Sequence, residues 1–285
     1  MPIDLKRSRL AFQRLGREVA KLTKEPVPES VHKFRTNSRR VEALLSEVAP
    51  GLNRNDKKLL KLLSRLRKKA GQVRDLDVEI TALRGLKIPE GNGHKSQFVD
   101  ALVQERSKRE QKLAKAFDGQ TAAKVQKRLK RAAGEIEIPK NTEPLTLTMS
   151  KLAKLGRDHV PLTEKTLHQY RIIGKRARYI AELADHDSEA KRIVDQLKHM
   201  QDVIGDWHDW LKLTQKAEAL FGGVQESALV AMLRNVTQAK FRQSVDAVAE
   251  TRAALSTKRS EPAHATIAPS RKPPTESAAA TAAVA

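Results

Sequence analysis

At 285 residues and 31.8 kDa the chain is long enough for one large domain or two modest ones with a buried core. Its 55 Lys and Arg face 34 Asp and Glu, a formal charge of +21 and a pI near 10.2, so a polyanionic partner is the economical reading. Cysteine is absent, which excludes disulfide frameworks, thiol catalysis and thiolate metal sites, and the 4% aromatic content argues against a base-stacking binder of single strands.

The opening stretch, MPIDLKRSRLAFQRL, lacks the apolar core of a signal peptide, and no run has the roughly eighteen apolar residues of a membrane span. The expectation is a cytoplasmic protein. The first helix is predicted over Leu5 to Leu22, where Leu5, Phe12, Leu15, Val19 and Leu22 make one apolar stripe. A second runs from Pro28 or Glu29 to Val48, and a third from Asn55 to Leu83 with a possible kink site at Gly71. Leu86 to His94 reads as a loop, followed by helices over Lys95 to Phe117 and Thr121 to Ala132. The later half predicts a short helix from Ser150 to Asp158, one from Leu162 to Ala184, and a long one from Ser188 to Leu220, interrupted or bent at Gly205. A last helix spans Glu226 to Leu255, and from Lys258 onward the Ala, Pro, Ser and Thr composition predicts a disordered tail. Strand-like alternation is almost absent, so the fold class is all-α.

Two motifs recur. His32-x-x-Arg35-x-x-x-Arg39-Arg40 matches His168-x-x-Arg171-x-x-x-Lys175-Arg176 at an offset of 136. Gly71-x-x-Arg74-Asp75 matches Gly205-x-x-His208-Asp209 at an offset of 134. Near-equal offsets predict a tandem of two similar helical units, residues 1–138 and 139–257, with 258–285 as the tail.

Helical geometry gives the first motif its chemistry. At about 100° per residue, Arg35 and Arg39 lie about 60° and about 20° from His32, so the three share one face. His168, Arg171, Lys175 and Arg178 do the same, while Phe34, Val41 and Leu45 point to the opposite side. Stacked like charges destabilise a helix, so a sequence that repeats them invites a bound anion, and guanidinium forks match phosphate oxygens. Lys58, Lys61, Arg65 and Lys69 extend the basic surface along the third helix. Lys108, Lys112 and Lys115 read equally well as a solvated face. Asp75, Asp77 and Asp209 suit an orienting role beside Arg and His side chains, with Arg74 and His208 in the same motifs. They do not form a three-acid cluster, so no metal or other cofactor is expected.

The His-led repeat and the Gly-x-x-Arg-Asp-Leu-Asp segment at Gly71 to Asp77 resemble the CHAD domain, the conserved-histidine α-helical domain, over residues 5 to 255. The resemblance implies two pseudo-symmetric helical bundles facing each other across a basic groove or pore. It also implies binding of inorganic polyphosphate, commonly at polyphosphate granules. Mapped onto this sequence, the implied contacts are His32, Arg35, Arg39, Arg40, His168, Arg171, Lys175, Arg176 and Arg178. Gly174 and Ala177 depart from the pattern as small residues inside the second motif helix; they either loosen that wall or let the ligand come closer. Glu135-Ile-Glu137-Ile-Pro139-Lys140 is a near miss to the strand motif of the triphosphate-processing domain often fused to this family. It reads as an inter-unit loop.

The leading function is therefore non-catalytic polyphosphate binding, with the granule surface as a further partner and no membrane partner. Nucleic-acid binding through backbone phosphates is the runner-up, but no base-reading helix or stacking platform supports it. Trp207 and Trp210 read as packing residues. A phosphohydrolase or phosphotransferase with His32 or His168 as nucleophile is third, without a Walker loop or evident magnesium ligands.

Overall fold

The computed structural model describes residue 3 and residues 5–87, 93–153, 161–184 and 187–256. Among these the chain forms nine α-helices and no strand. The first five are α1 (Leu5–Lys24), α2 (Pro28–Ala43), α3 (Arg54–Gly85), α4 (His94–Ala116) and α5 (Gly119–Glu135). After the linker come α6 (Pro144–Leu152), α7 (Glu164–Ala181), α8 (Ser188–Phe221) and α9 (Ala228–Ser256). The all-α expectation is met. The expected tail, 258–285, and residues 154–158 of the expected short helix lie outside the described residues.

Side-chain caps and prolines set most helix starts. Pro28 opens α2, where a missing N–H costs nothing. Asn53 accepts from the Asp56 amide ahead of α3, Asp118 from Thr121 ahead of α5, and Asp187 from Glu189 and Ala190 ahead of α8. Thr163 and Thr166 form a capping box ahead of α7. The expected short helix at 150–158 starts earlier, at Pro144, for the same reason as α2: Pro144 is its first-turn residue rather than linker punctuation. The second helix does reach Val48, but its last turn, Leu44–Val48, is a π-turn in which the Ala49 amide donates to Leu44. α3 and α8 run uninterrupted through Gly71 and Gly205. Glu135, expected in the inter-unit loop, is instead the last residue of α5, and residues 136–139 follow outside helix and strand.

Three apolar clusters hold these helices together. In the first, Phe12, Leu15, Val19 and Leu22 of α1 meet Phe34 and Val41 of α2, Leu59 and Leu63 of α3, and Val125 and Leu129 of α5. Leu5, expected on the same stripe, is 37% exposed at the helix end. The second joins Leu167, Tyr170 and Ala177 of α7 to Ile193, Leu197, Met200 and Trp207 of α8 and Val248 of α9. The third crosses the linker: Leu76, Ile80 and Leu83 of α3 and Phe98 and Leu102 of α4 pack with Leu213, Ala217, Leu229 and Leu233 of α8 and α9. Trp210 packs against this third cluster, so both tryptophans are packing residues as expected.

The small residues of α7 have a packing role. A methyl group added at Gly174 would come within 2.7 Å of Met200 Cε, and Ala177 is fully buried. Gly174 thus brings α7 close to α8, rather than admitting ligand. Replacing Gly174 with Ile overpacks that seam and should lower stability by about 1–3 kcal/mol. Urea unfolding checks this, and Met200→Ala in the same background should recover part of the loss.

Candidate functional site: a basic cluster between α2 and α7

The repeated motif helices α2 and α7 lean on α3 and α8. Arg35 projects from α2 over Gly71, where any Cβ would overlap its guanidinium, and its Nη2 lies 3.8 Å from Asp75 Oδ1. Gly71 is needed for this close approach. From the far side, Lys212 of α8 reaches the other Asp75 oxygen at 3.5 Å. One carboxylate on α3 therefore has bases from two other helices beside it.

The electrostatics place α7 in the same cluster. Arg171 feels attraction from Asp209 and Asp75 and repulsion from Arg39, so the motif bases of α2 and α7 lie within each other's fields. Burial, the largest effect, and this crowding lower its proton affinity, as they do that of Arg35. Arg171 Nε is buried without a hydrogen bond. Lys175 is driven furthest, down to about 6, first by burial and then by Arg171, Arg39, Arg35 and Arg178. The ammonium therefore loses much of its charge near neutral pH in the unliganded protein, whereas the guanidiniums keep theirs.

The two motif histidines lie at the edge. His32 is pushed below its ordinary value by burial and by Arg74, Arg35 and Arg39. His168 is pushed the same way by burial, His208, Arg171, Lys175 and Lys212, and its ring stacks on His208 with centroids 6.0 Å apart. His208 Nδ1 lies 3.8 Å from Asp209 Oδ1, too far for a hydrogen bond. Both histidines are thus mainly neutral at pH 7.

Other expected site residues point elsewhere. Arg40, about 100° round the helix from Arg39, donates to Glu182 at 2.7 Å, and Glu182 also pairs with Arg178 at 3.4 Å. This bridge ties α2 to the end of α7 and lines a separate cavity of ≈ 640 Å³ with Leu10, Arg14 and Asp195. Arg178 also lies over the Tyr179 ring at 5.0 Å. Arg176 is exposed. Lys58, Lys61 and Arg65 are exposed along α3, and Lys69 is half-buried nearer the cluster. Asp77 turns away, accepting from Arg106 of α4 at 2.6 Å.

Lys212 and Glu182 escaped the sequence reading. Lys212 stands four residues after His208 and Glu182 four after Arg178, so helical spacing alone could have found both. Among the described residues no three His, Asp or Glu side chains could hold a metal. No helix among them is long and apolar enough to cross a membrane.

Among the described residues the bases of α2 and α7 thus converge on one region with Asp75 and Asp209 as the near acids. The chain belongs to the CHAD-domain family: residues 7–218 match the family model described as the CHAD domain. The fold is similar to the CHAD domain from the plant Ricinus communis, with TM-score 0.65 and 17% identity over 90% of this chain and 92% of that one. It is also similar to PptA from Streptomyces chartreusis, with TM-score 0.64 and 14% identity over 90% of this chain and all of that one. No curated protein sequence matches. Family membership is consistent with a non-catalytic domain that engages phosphate-rich ligands.

Lys175 supplies a stability test. Its value is lower in the folded chain than in the unfolded, so the unfolded chain holds more protons between about 6 and the ordinary lysine value. Wild-type stability should rise with pH through that window relative to Lys175→Met. Ligand-free Lys175→Met should melt several degrees higher near pH 7, a difference that shrinks toward pH 10. Thermal scans of both proteins across the range check the sign.

Proposed function

We propose that the protein binds inorganic polyphosphate without chemical turnover, holding the chain in a basic groove between two pseudo-symmetric helical units, 1–138 and 139–257. The observation that carries this reading is the convergence of Arg35 and Arg39 from α2 with Arg171 and Lys175 from α7, with Asp75 and Asp209 as the near acids. Helix starts support the two-unit arrangement: α7 begins 136 residues after α2, α8 134 after α3, and α9 134 after α4. These are the motif offsets. His32, His168, Arg74 and His208 border the groove, and Lys69 and Arg176 supply its near field, while Lys58, Lys61 and Arg65 lie beyond it along α3. In this reading Arg40 and Arg178 brace the groove through Glu182. The protein works in the cytoplasm, where binding recruits it to polyphosphate granules.

A polyphosphate chain carries about one charge per phosphate and no bases, so a field of guanidiniums suffices to recognise it. Arg35→Gln with Arg39→Gln, or Arg171→Gln with Lys175→Gln, should weaken polyphosphate binding about tenfold to several thousandfold, at roughly 1.5–3 kcal/mol per well-formed contact. Lys108→Gln with Lys112→Gln should change it little. Calorimetry at two salt concentrations measures both, and the groove variants should show a shallower salt dependence. Polyphosphate incubated with protein and magnesium should keep its length. Duplex or single-stranded DNA of matched phosphate number should compete poorly; equal competition would replace this reading with nucleic-acid binding.

Binding should also take up protons. Lys175 and the two histidines have depressed values in the free protein, and a bound polyanion raises them. Affinity therefore rises as pH falls from about 8 and levels off below the free-state values, near 6 for Lys175. Calorimetry in buffers of different ionisation enthalpy should show net proton uptake at pH 7.5, reduced in Lys175→Gln.

A further inference from the structure

The first half of α3 carries a stripe that the central cluster does not use. Arg54, Lys58, Lys61, Arg65 and Lys68 follow one another at alternating steps of four and three residues, and the same register continues through Gln72 to Asp75. Residues at these steps are neighbours on one helix face. All five bases are exposed, and none has an ion pair or side-chain hydrogen bond among the described residues. The five bases span about 21 Å at the helical rise, and Asp75, where Arg35 and Lys212 meet, lies about 10 Å further along the same helix. At its far end Arg54 and Lys58 line a cavity of ≈ 700 Å³ with Arg128 and Arg131 of α5. Arg131 is balanced there by Glu135 at 2.8 Å, which leaves Arg54, Lys58 and Arg128, the last donating only to the neutral Asn55 amide at 3.2 Å, as its uncompensated charges.

The equivalent face of α8 is different in sign. At the offset of 134 the same positions are Ser188, Arg192, Asp195, His199 and Asp202. Arg192 is held by Glu189 at 2.8 Å, and Asp195 and Asp202 are exposed. A polyanion leaving the cluster therefore meets only free cations along this face of α3, whereas along α8 the carboxylates of Asp195 and Asp202 offset the exposed Lys191 and Lys198.

We propose that this face of α3, from Lys68 to Arg54 and into the α3–α5 cavity, is a second polyphosphate subsite: a one-sided track that takes the part of a long chain extending beyond the central cluster. The inference rests on the polyphosphate reading above and adds its direction and its length preference. A chain too short to leave the cluster gains nothing from the track. A long chain engages it intramolecularly, at the high effective concentration set by the segment already bound.

The test compares tripolyphosphate with a chain of several tens of phosphates, using calorimetry on the full chain. The variants are Lys58→Gln, Lys61→Gln and Arg65→Gln combined, and Lys108→Gln, Lys112→Gln and Lys115→Gln combined on exposed α4 positions. Equal melting temperatures confirm that each variant is folded. The α3 triple variant should keep wild-type affinity for tripolyphosphate within about twofold and lose roughly tenfold for the long chain, with a salt slope shallower by about two. The α4 triple variant should lose little for either. Unchanged long-chain affinity in the α3 variant overturns the track. An equal loss for both ligands, or an equal long-chain loss in the α4 variant, also overturns it by reducing the stripe to general charge. Wild-type protein that binds neither ligand removes the polyphosphate reading itself, and the track with it.

Discussion

Crowding of like charge around Asp75 is the constraint on which the rest of the structure turns. Arg35, Arg39, Arg171 and Lys175 sit within each other's fields, and burial is the largest perturbation on Arg35, Arg171 and Lys175. Removing such groups from water without full compensation opposes folding. The opposition is met at a distance. The shared apolar cluster of α3, α4, α8 and α9 closes one side, and the ion pairs Arg40–Glu182 and Lys151–Glu47 close the other. Glu79, 2% exposed, accepts from Lys216 at 2.6 Å and joins α3 to α8 just beyond the cluster. The scaffold thus supplies cohesion on both sides of a region that lacks its own. An anion that enters it relieves the repulsion and stabilises the fold by mass action.

Residue type decides how the cluster responds to its own field. A guanidinium cannot shed its proton at physiological pH, so Arg35 and Arg171 keep their charge although their surroundings lower their proton affinity. Lys175 can shed it and does, with a value near 6. The imidazoles of His32 and His168 yield likewise. The unliganded protein therefore relaxes part of its repulsion by losing protons from its lysine and histidines, while the arginines keep an attractive field for an incoming anion. A cluster made wholly of arginine would lack this relief, and one made wholly of lysine would discharge itself.

Much of this architecture could be read in the sequence because its signals are local. Pro28, Asn53, Thr163 and Asp187 mark helix starts by the chemistry of the first turn, and Phe12, Leu15 and Val19 mark a buried face by their period. The repeat offsets identified α2 with α7 before any contact was known. Tertiary pairing was the part out of reach. Arg39 and Arg40 are adjacent and alike in composition, yet about 100° of helix separates a base in the cluster from one spent on Glu182. Asp75 and Asp77 divide in the same way, one shared between Arg35 and Lys212, the other committed to Arg106. Gly71 and Gly205 share a motif position, but only Gly71 has a guanidinium laid against it. No pattern in one sequence carries the identity of a partner 137 residues away.

The offset of 134 also separates what the two motif pairs hold in common from what they do not. Within the Gly-led motifs it pairs Asp75 with Asp209, and Arg74 with His208, whose buried Nδ1 has no hydrogen-bond partner among the described residues. The helix ends match as well, since α3 and α8 start at Arg54 and Ser188. Between the helix starts and these motifs the chemistry diverges: the exposed charges of α3 are all basic, whereas α8 mixes Lys191, Arg192 and Lys198 with Asp195 and Asp202. Fold alone does not require this difference, because exposed positions on a long helix tolerate either sign at little cost. The buried positions of both helices are apolar where they pack, as at Leu59 and Leu63 on α3 and Ile193 and Leu197 on α8. The frame is thus specified twice by burial, while the sign of the outer faces is left free by it. The net charge of +21 is then not spread evenly along the chain: residues 1–138 carry 33 Lys and Arg against 17 Asp and Glu. That asymmetry gives the field around the cluster a direction as well as a strength.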